Sequence, residues 1–319
     1  MKKSLKNLPN NWINRFENYF PDNNNILNKV EKAFLIEKRK PVFRINTLKT
    51  DINKVLEEFK NNNIKITKID YLINSYLVEN AFENEIRKLD CYNNGEIYLQ
   101  NISSQIPTII LNPKSGEKVL DTCSAPGSKT TQMATLMENN GEITALELNK
   151  IRLEKLKYNI KKQGINIVNS LQQDATKLSG VFEENSFDKI LIDAPCTAEG
   201  RINLNNEKSY HFLSRKNTLT KAKLQKEILK SVIPLLKSGG ELVYSTCTLA
   251  PEENEAIINF ILSQYKDLEI VKIDFDIPYK IPALKKWGKQ IFDSRVSSSL
   301  KILPSESTEG FFIAKLKKK

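Results

Sequence analysis

A single histidine, His211, occurs in the 319 residues, and the four cysteines at 91, 123, 196 and 247 form no CxxC pair. A zinc site usually draws four ligands from clustered Cys and His, so no metal is expected. A Cys–His hydrolase would have to rest on His211 alone. No stretch approaches the roughly 18–20 uninterrupted apolar residues of a spanning helix, so no membrane partner is expected. The opening MKKSLKNLPNNW is basic but has no apolar run behind it, and it does not read as a signal peptide. The expectation is a cytoplasmic chain with reduced thiols.

What the chain does have is positive charge. The formal net charge is +11 and the pI near 9.2. Residues 277–319 hold ten Lys/Arg against three Asp/Glu, and residues 199–240 hold nine against three. An excess of this size favours a polyanionic partner, nucleic acid first among them. Hydrophobic content is 40% and charged content 27%, ordinary values that allow a sizeable core. The length suits a large catalytic domain with a smaller companion. Oligomeric state is not legible, and a monomer is the default.

Residues 1–40 carry Trp12, Ile13, Phe16, Phe20, Val30, Phe34 and Leu35 at helical spacing, interrupted at Pro21 and the asparagines 23–25. KPVFRINTLKT then reads as extended, and Asp51 caps a helix over DINKVLEEFKNNN. IKITKID and YLINSYLVEN complete a small α/β unit, which places an RNA-binding domain at 1–94. From 95 to 319 strands alternate with helices. Strands are expected at 117–121, 142–147, 167–173, 187–194 and 240–246; helices at 129–138, 149–164, 219–239 and 251–265. That alternation implies a doubly wound, mostly parallel sheet. The closing LKILPSESTEGFFIAKL reads as an antiparallel hairpin turning around Ser305–Gly310, a mark of the Rossmann-like class I methyltransferase version of this α/β architecture.

Ligands of such sheets sit beyond the carboxyl ends of the strands. The first such loop, DTCSAPGSKT (121–130), has neither GxGxxG nor GxxxxGK[ST]. Its small Ser124, Ala125 and Gly127 let backbone approach a ligand, Pro126 stiffens the turn, and the helix from Lys129 offers free N–H groups. The same loop could serve only as a tight strand-to-helix turn. Glu147 ends the next strand, 26 residues after Asp121, where a carboxylate can accept ribose hydroxyls. Asp174 follows the third strand, within reach of an adenine amine, and Asp193 ends the fourth. Four acidic strand ends would repel each other without a polar or cationic ligand. A sulfonium cofactor bearing adenosine fits.

Asp193-Ala194-Pro195-Cys196 follows the fourth strand and Ser245-Thr246-Cys247-Thr248 the fifth, placing two cysteines 51 residues apart on one rim. A thiolate adding to C6 of cytosine makes C5 enamine-like and able to take a methyl group. A second group can assist elimination, and Asp193 can hydrogen-bond the base at N3 and its amine. Cys91 and Cys123 are expected to pack without chemistry, and His211 to meet substrate or solvent. Two rival expectations are a non-catalytic RNA-binding or ribosome-assembly factor on the same scaffold and methylation of another group.

KPVFRINTLK (40–49), Gly95 through LQNISSQIP (99–107), DTCSAPGSKT, DAPCTAEG (193–200), YSTCTLAPEENE (244–255) and KILPSESTEGFFIAKL (301–316) occur in that order. Over roughly residues 40–319 the chain thereby resembles the RNA 5-cytosine methyltransferases, which include bacterial 16S rRNA and archaeal and eukaryotic tRNA enzymes. The resemblance implies S-adenosyl-L-methionine held by Cys123, Ser124, Ala125, Pro126, Gly127, Ser128, Lys129, Glu147, Arg152, Asp174 and Asp193. It implies Cys247 as nucleophile, Cys196 as the group assisting release, and tRNA or rRNA as partner. Ala198 stands where that family commonly has glycine, and Ser124 where alanine is frequent. No added RNA-binding domain is recognisable, so substrate choice is expected to come from residues 1–95 and the basic loops.

Overall fold

A computed structural model describes residues 4–9, 12–20 and 23–319. Two short helices, α1 (Trp12–Tyr19) and α2 (Asn24–Phe34), open the chain. The break expected at Pro21 lies outside the described residues. Asn23 caps α2 by accepting the Ile26 N–H. Strand β1 (Val42–Ile45), helix α3 (Ile52–Asn61) capped by Asp51, and strands β2 (Ile66–Lys68) and β3 (Ser75–Val78) follow. Short helices α4 (Glu83–Ile86) and α5 (Asp90–Asn93) lead to β4 (Ile97–Leu99). These strands form an antiparallel sheet ordered β2-β3-β1-β4, so its last strand lies beyond residue 94. Phe43, Phe59 and Val78 bury themselves beneath it.

Helix α6 (Ile102–Leu111) then enters the larger unit: β5 (Lys118–Asp121), α7 (Ser128–Leu136), β6 (Glu142–Leu146), α8 (Lys150–Lys162), β7 (Val168–Leu171), β8 (Phe187–Asp193), α9 (Arg215–Val232), β9 (Leu236–Thr246) and α10 (Glu255–Gln264). Short strands β10 (Leu268–Val271), β11 (Lys280–Pro282), β12 (Lys286–Trp287), β13 (Gln290–Ile291) and β14 (Leu300–Ile302) precede the long β15 (Phe311–Lys318).

The order β9-β8-β5-β6-β7 is parallel throughout, and β15 closes it antiparallel to β9, with β14 antiparallel to β15. The fold is therefore α/β, mostly parallel and ended by the expected hairpin. Alternation along each strand feeds two cores: Ile190 and Ile192 face α9 and α10, while Leu191 faces α6 and α7. Chain order reverses between β5 and β8, so their carboxyl ends, Asp121 and Asp193, flank the crevice where such sheets bind ligands.

Two features depart from expectation. The helix read to residue 239 stops at Val232, because Pro234 has no N–H to donate and turns the chain through a 3-10 turn, Ile233–Leu235, straight into β9. And the opening helices do not cover the small sheet: Trp12, Phe16 and Phe34 pack against Ile202, Leu204, Leu213 and Leu249, on the segments that follow Cys196 and Cys247.

Candidate active site

The loop from β5 to α7 is fixed by its own backbone. Ser124 N–H and Oγ both donate to the Leu146 carbonyl, at 3.0 and 2.7 Å, binding the loop to the end of β6. Gly127 sits at φ +105°, a left-handed conformation that opposes any Cβ, and it leads directly into α7. Asp121 is buried beneath the loop, where Thr130 Oγ1 donates to it at 2.7 Å. Burial lifts its carboxyl to about 7.

A cavity of about 230 Å³ opens above these residues, lined by Asp121, Cys123–Pro126, Ser128, Lys129, Arg152 and Asp193, together with Ser104 and Arg201. Glu147 stands just outside this lining, buried, accepting the Asn149 N–H at 2.9 Å and lying 3.3 Å from Arg152. Asp174 is also set apart, at the mouth of β7, where the Thr176 N–H and hydroxyl lower its pKa. Cys123 lines the cavity, but burial raises its thiol to about 12, which suits a packing role. Cys91 is fully buried under the small sheet, and burial raises its thiol as well. His211 is exposed, and its ring meets that of Phe212 edge-on at 5.5 Å.

Asp193 joins the two halves of the site. Its Oδ2 pairs with Lys129 Nζ at 2.8 Å and its Oδ1 accepts from Ser245 Oγ at 2.8 Å. Lys129 is almost fully buried and also reaches Ser104 Oγ at 2.9 Å. Two residues beyond Ser245, the Cys247 sulfur lies 3.3 Å from that of Cys196. This contact, together with burial, raises the Cys196 thiol well above its ordinary value. At this distance either sulfur can donate its proton to the other.

The two cysteine loops are fastened just below the sulfurs. Thr197 Oγ1 and Thr248 Oγ1 are 2.9 Å apart. Glu253 accepts from the Thr197 hydroxyl, from its N–H at 3.1 Å and from Gln225 Nε2 at 2.9 Å. Burial lifts the Glu253 carboxyl to about 8. Gly200 N–H donates to the Cys247 carbonyl at 3.0 Å, and Gly310 N–H to the Gly200 carbonyl at 2.9 Å. A Cβ on Gly200 would lie 2.1 Å from the Gly310 carbonyl oxygen, so this crossing admits only glycine. Trp12 Nε1 and Tyr19 OH reach Glu199 Oε1 at 3.0 and 3.2 Å, tying α1 to the same loop.

Sequence reasoning missed Ser104, Arg201, Thr197 and Glu253. Thr197 and Glu253 lie in the loops after β8 and β9, inside motifs whose other residues drew the notice, while Ser104 on α6 and Arg201 reach the cavity from outside the strand ends. Arg201 lines the cavity and pairs with Glu309 at 3.1 Å.

Residues 108–317 match the family model described as 16S rRNA methyltransferase RsmB/F. The chain is 36% identical over 292 residues to the tRNA (cytosine(49)-C(5))-methyltransferase of Pyrococcus abyssi, covering 90% of each. It is 33% identical over 285 residues to the probable ribosomal RNA small subunit methyltransferase B of Bacillus subtilis, covering 88% of this chain and 60% of that protein. This chain thus spans less than two thirds of the Bacillus relative's length. The crystal structure of NSun6 from Pyrococcus horikoshii with SFG superposes with a TM-score of 0.82 at 26% identity, covering 97% of this chain and 98% of that one. SFG is an analogue of S-adenosylmethionine. By sequence and by fold, the chain belongs to the RsmB/F family of S-adenosylmethionine-dependent RNA cytosine-C5 methyltransferases.

Proposed function

We propose that this chain itself methylates C5 of a cytosine in tRNA or rRNA through a covalent adduct between Cys247 and C6. The observation that carries the proposal is the pair of sulfurs 3.3 Å apart beside Asp193, which lines the cavity. Amino-group methylation needs no such pair. The Pyrococcus abyssi relative, 36% identical over 292 residues, is named as a tRNA methyltransferase, which supports tRNA as substrate.

The donor set fits S-adenosylmethionine. Carboxylates at Glu147 and Asp174 suit ribose hydroxyls and an adenine amine, and the acidic Asp121 and Asp193 suit a cation. The loop Cys123–Lys129 would hold the remainder, with Arg152 bracing Glu147. When bound, the cofactor supplies an electrophilic methyl group.

The chain's own residues do the rest. Cys247, its proton given up to water, attacks C6 with Cys196 beside it, forming the sulfur–carbon bond and pushing electrons toward N3. Asp193, clamped by Lys129 and Ser245, faces N3 and the exocyclic amine, and the Lys129–Asp193 pair holds a proton there as charge builds. After C5 has gained its methyl group its proton passes to water, and the electrons of the C5–H bond restore the C5–C6 double bond. The sulfur–carbon bond breaks to release Cys247 as a thiolate that Cys196 assists by a hydrogen bond, N3 returning its proton to the Lys129–Asp193 pair. The small antiparallel sheet, the opening helices and the basic loops form the RNA-binding part.

The test is incubation with radiolabelled S-adenosylmethionine and unmethylated tRNA or rRNA, followed by bisulfite mapping. Label at the C5 of one cytosine is expected. Absence of label from both pools, with cofactor bound, would overturn the proposal.

A further inference from the structure

A groove of about 1100 Å³ runs from the cavity out between the small sheet and the catalytic sheet. Ser104, Pro126, Ser128 and Arg201 line both, so the groove opens onto the cavity that Asp193 also lines. Its rim is cationic, with Lys38, Lys40, Arg87, Lys155 and Lys162 among the lining residues and only Glu83 and Glu309 as acids. Lined this way it suits a phosphate backbone.

The groove also presents aromatic rings. Phe82 is 51% exposed and Tyr158 64% exposed, large rings left in water on opposite walls. Lys38 Nζ lies 5.2 Å from the Phe82 ring centre, and Tyr98, deeper in the groove, has the buried Arg44 guanidinium 5.0 Å from its own. Among the described residues Arg44 has no carboxylate partner: it reaches Gln100, Ser128 O and Thr131, and its Nη1 is buried without a hydrogen bond. Rings backed by cations offer π-faces and phosphate contacts together.

We propose that this groove holds an unpaired RNA strand next to the target cytosine, with flanking bases stacked on Phe82 and Tyr158. The proposal rests on the RNA-methylating reading of the site. A duplex would leave both rings unused, because every base in it is already stacked on its neighbours. An A-form helix offers shape, 2′-hydroxyls and phosphates instead, none of which calls for aromatic faces. A flipped or unpaired cytosine reaches the thiols most easily from a strand that is itself unpaired.

The experiment measures binding of the full chain, by fluorescence anisotropy, to a labelled 12-nucleotide RNA and to the same RNA annealed to its complement. Methyl transfer into unmethylated tRNA is followed in parallel. The unpaired strand is expected to bind at least about 10-fold more tightly, and Phe82→Ala and Tyr158→Ala each to weaken it about 10-fold, the usual worth of one stacked base. Both side chains are exposed, so the fold is retained, and circular dichroism of the variants checks this. Lys40→Ala is expected to weaken both RNAs alike. Equal affinity for strand and duplex, or ring variants that bind as the parent does, would overturn the groove proposal while continued methyl transfer leaves the catalytic one standing. Failure of both binding and methyl transfer would overturn the two together.

Discussion

Thr197 and Thr248, each one residue past a candidate catalytic cysteine, share a hydrogen bond of 2.9 Å directly below the sulfurs of Cys196 and Cys247. Glu253 holds Thr197 from the other side, and Gln225 ties Glu253 to the Pro195 carbonyl at 3.0 Å. The spacing of the thiols is thus set by a buried clasp rather than by the sulfurs themselves. A displacement near 1 Å in such a site can cost on the order of 100-fold in rate. Glu253→Ala is therefore expected to lower methyl transfer by about 100-fold while cofactor affinity stays unchanged. Glu253→Gln retains an acceptor for Thr197 N–H and a polar partner for its hydroxyl, and should recover most of the rate. Equal losses in both variants would show that the carboxyl itself, and not the clasp, matters.

The same carboxyl gives a pH signature. Burial holds Glu253 near 8, and Glu199 and Asp121 near 7. The folded chain keeps protons that the unfolded chain gives up in the ordinary carboxylate range. Stability from these groups is full below that range and is lost as pH rises toward about 8. Melting temperatures measured from pH 5.5 to 8.5 should fall with pH, and the fall should be shallower in Glu253→Gln. Identical slopes in parent and variant would remove Glu253 from the explanation.

Ala198 lies at φ +53° in the turn after Cys196 and Thr197. A left-handed backbone costs a residue with Cβ roughly 1–2 kcal/mol, which gives a physical reason for glycine at this place in related chains. Ala198→Gly should raise the unfolding free energy by about 1 kcal/mol, part of the relief being offset by the freer unfolded chain. Urea denaturation would reveal it, and a destabilised variant would contradict the strain argument.

Strand order and the acidic strand ends were legible because both depend on local pattern. EKVLD and FDKILIDA carry the short apolar runs of strands covered on both faces, and each leads to the aspartate that now flanks the crevice. What escaped was long-range. Nothing near Trp12 says that its indole will meet Glu199, 187 residues away. Nor does the apolar spacing of residues 1–40 say which surface it covers. The helix overrun past Val232 has a different cause: apolar periodicity continues through Ile233 and Leu235, and Pro234 overrides it. Arg201 drew no notice because a lone basic residue in a basic loop has no pattern of its own.

The division of labour between the thiols is the most direct test. Cys196→Ala and Cys247→Ala would each be incubated with unmethylated RNA and S-adenosylmethionine, then run on a denaturing gel that separates protein–RNA adducts from free protein. Cys196→Ala should accumulate a covalent adduct that fails to release, and Cys247→Ala should give neither adduct nor methylated product. An adduct formed by Cys247→Ala, or full turnover by that variant, would contradict the assignment of Cys247 as nucleophile.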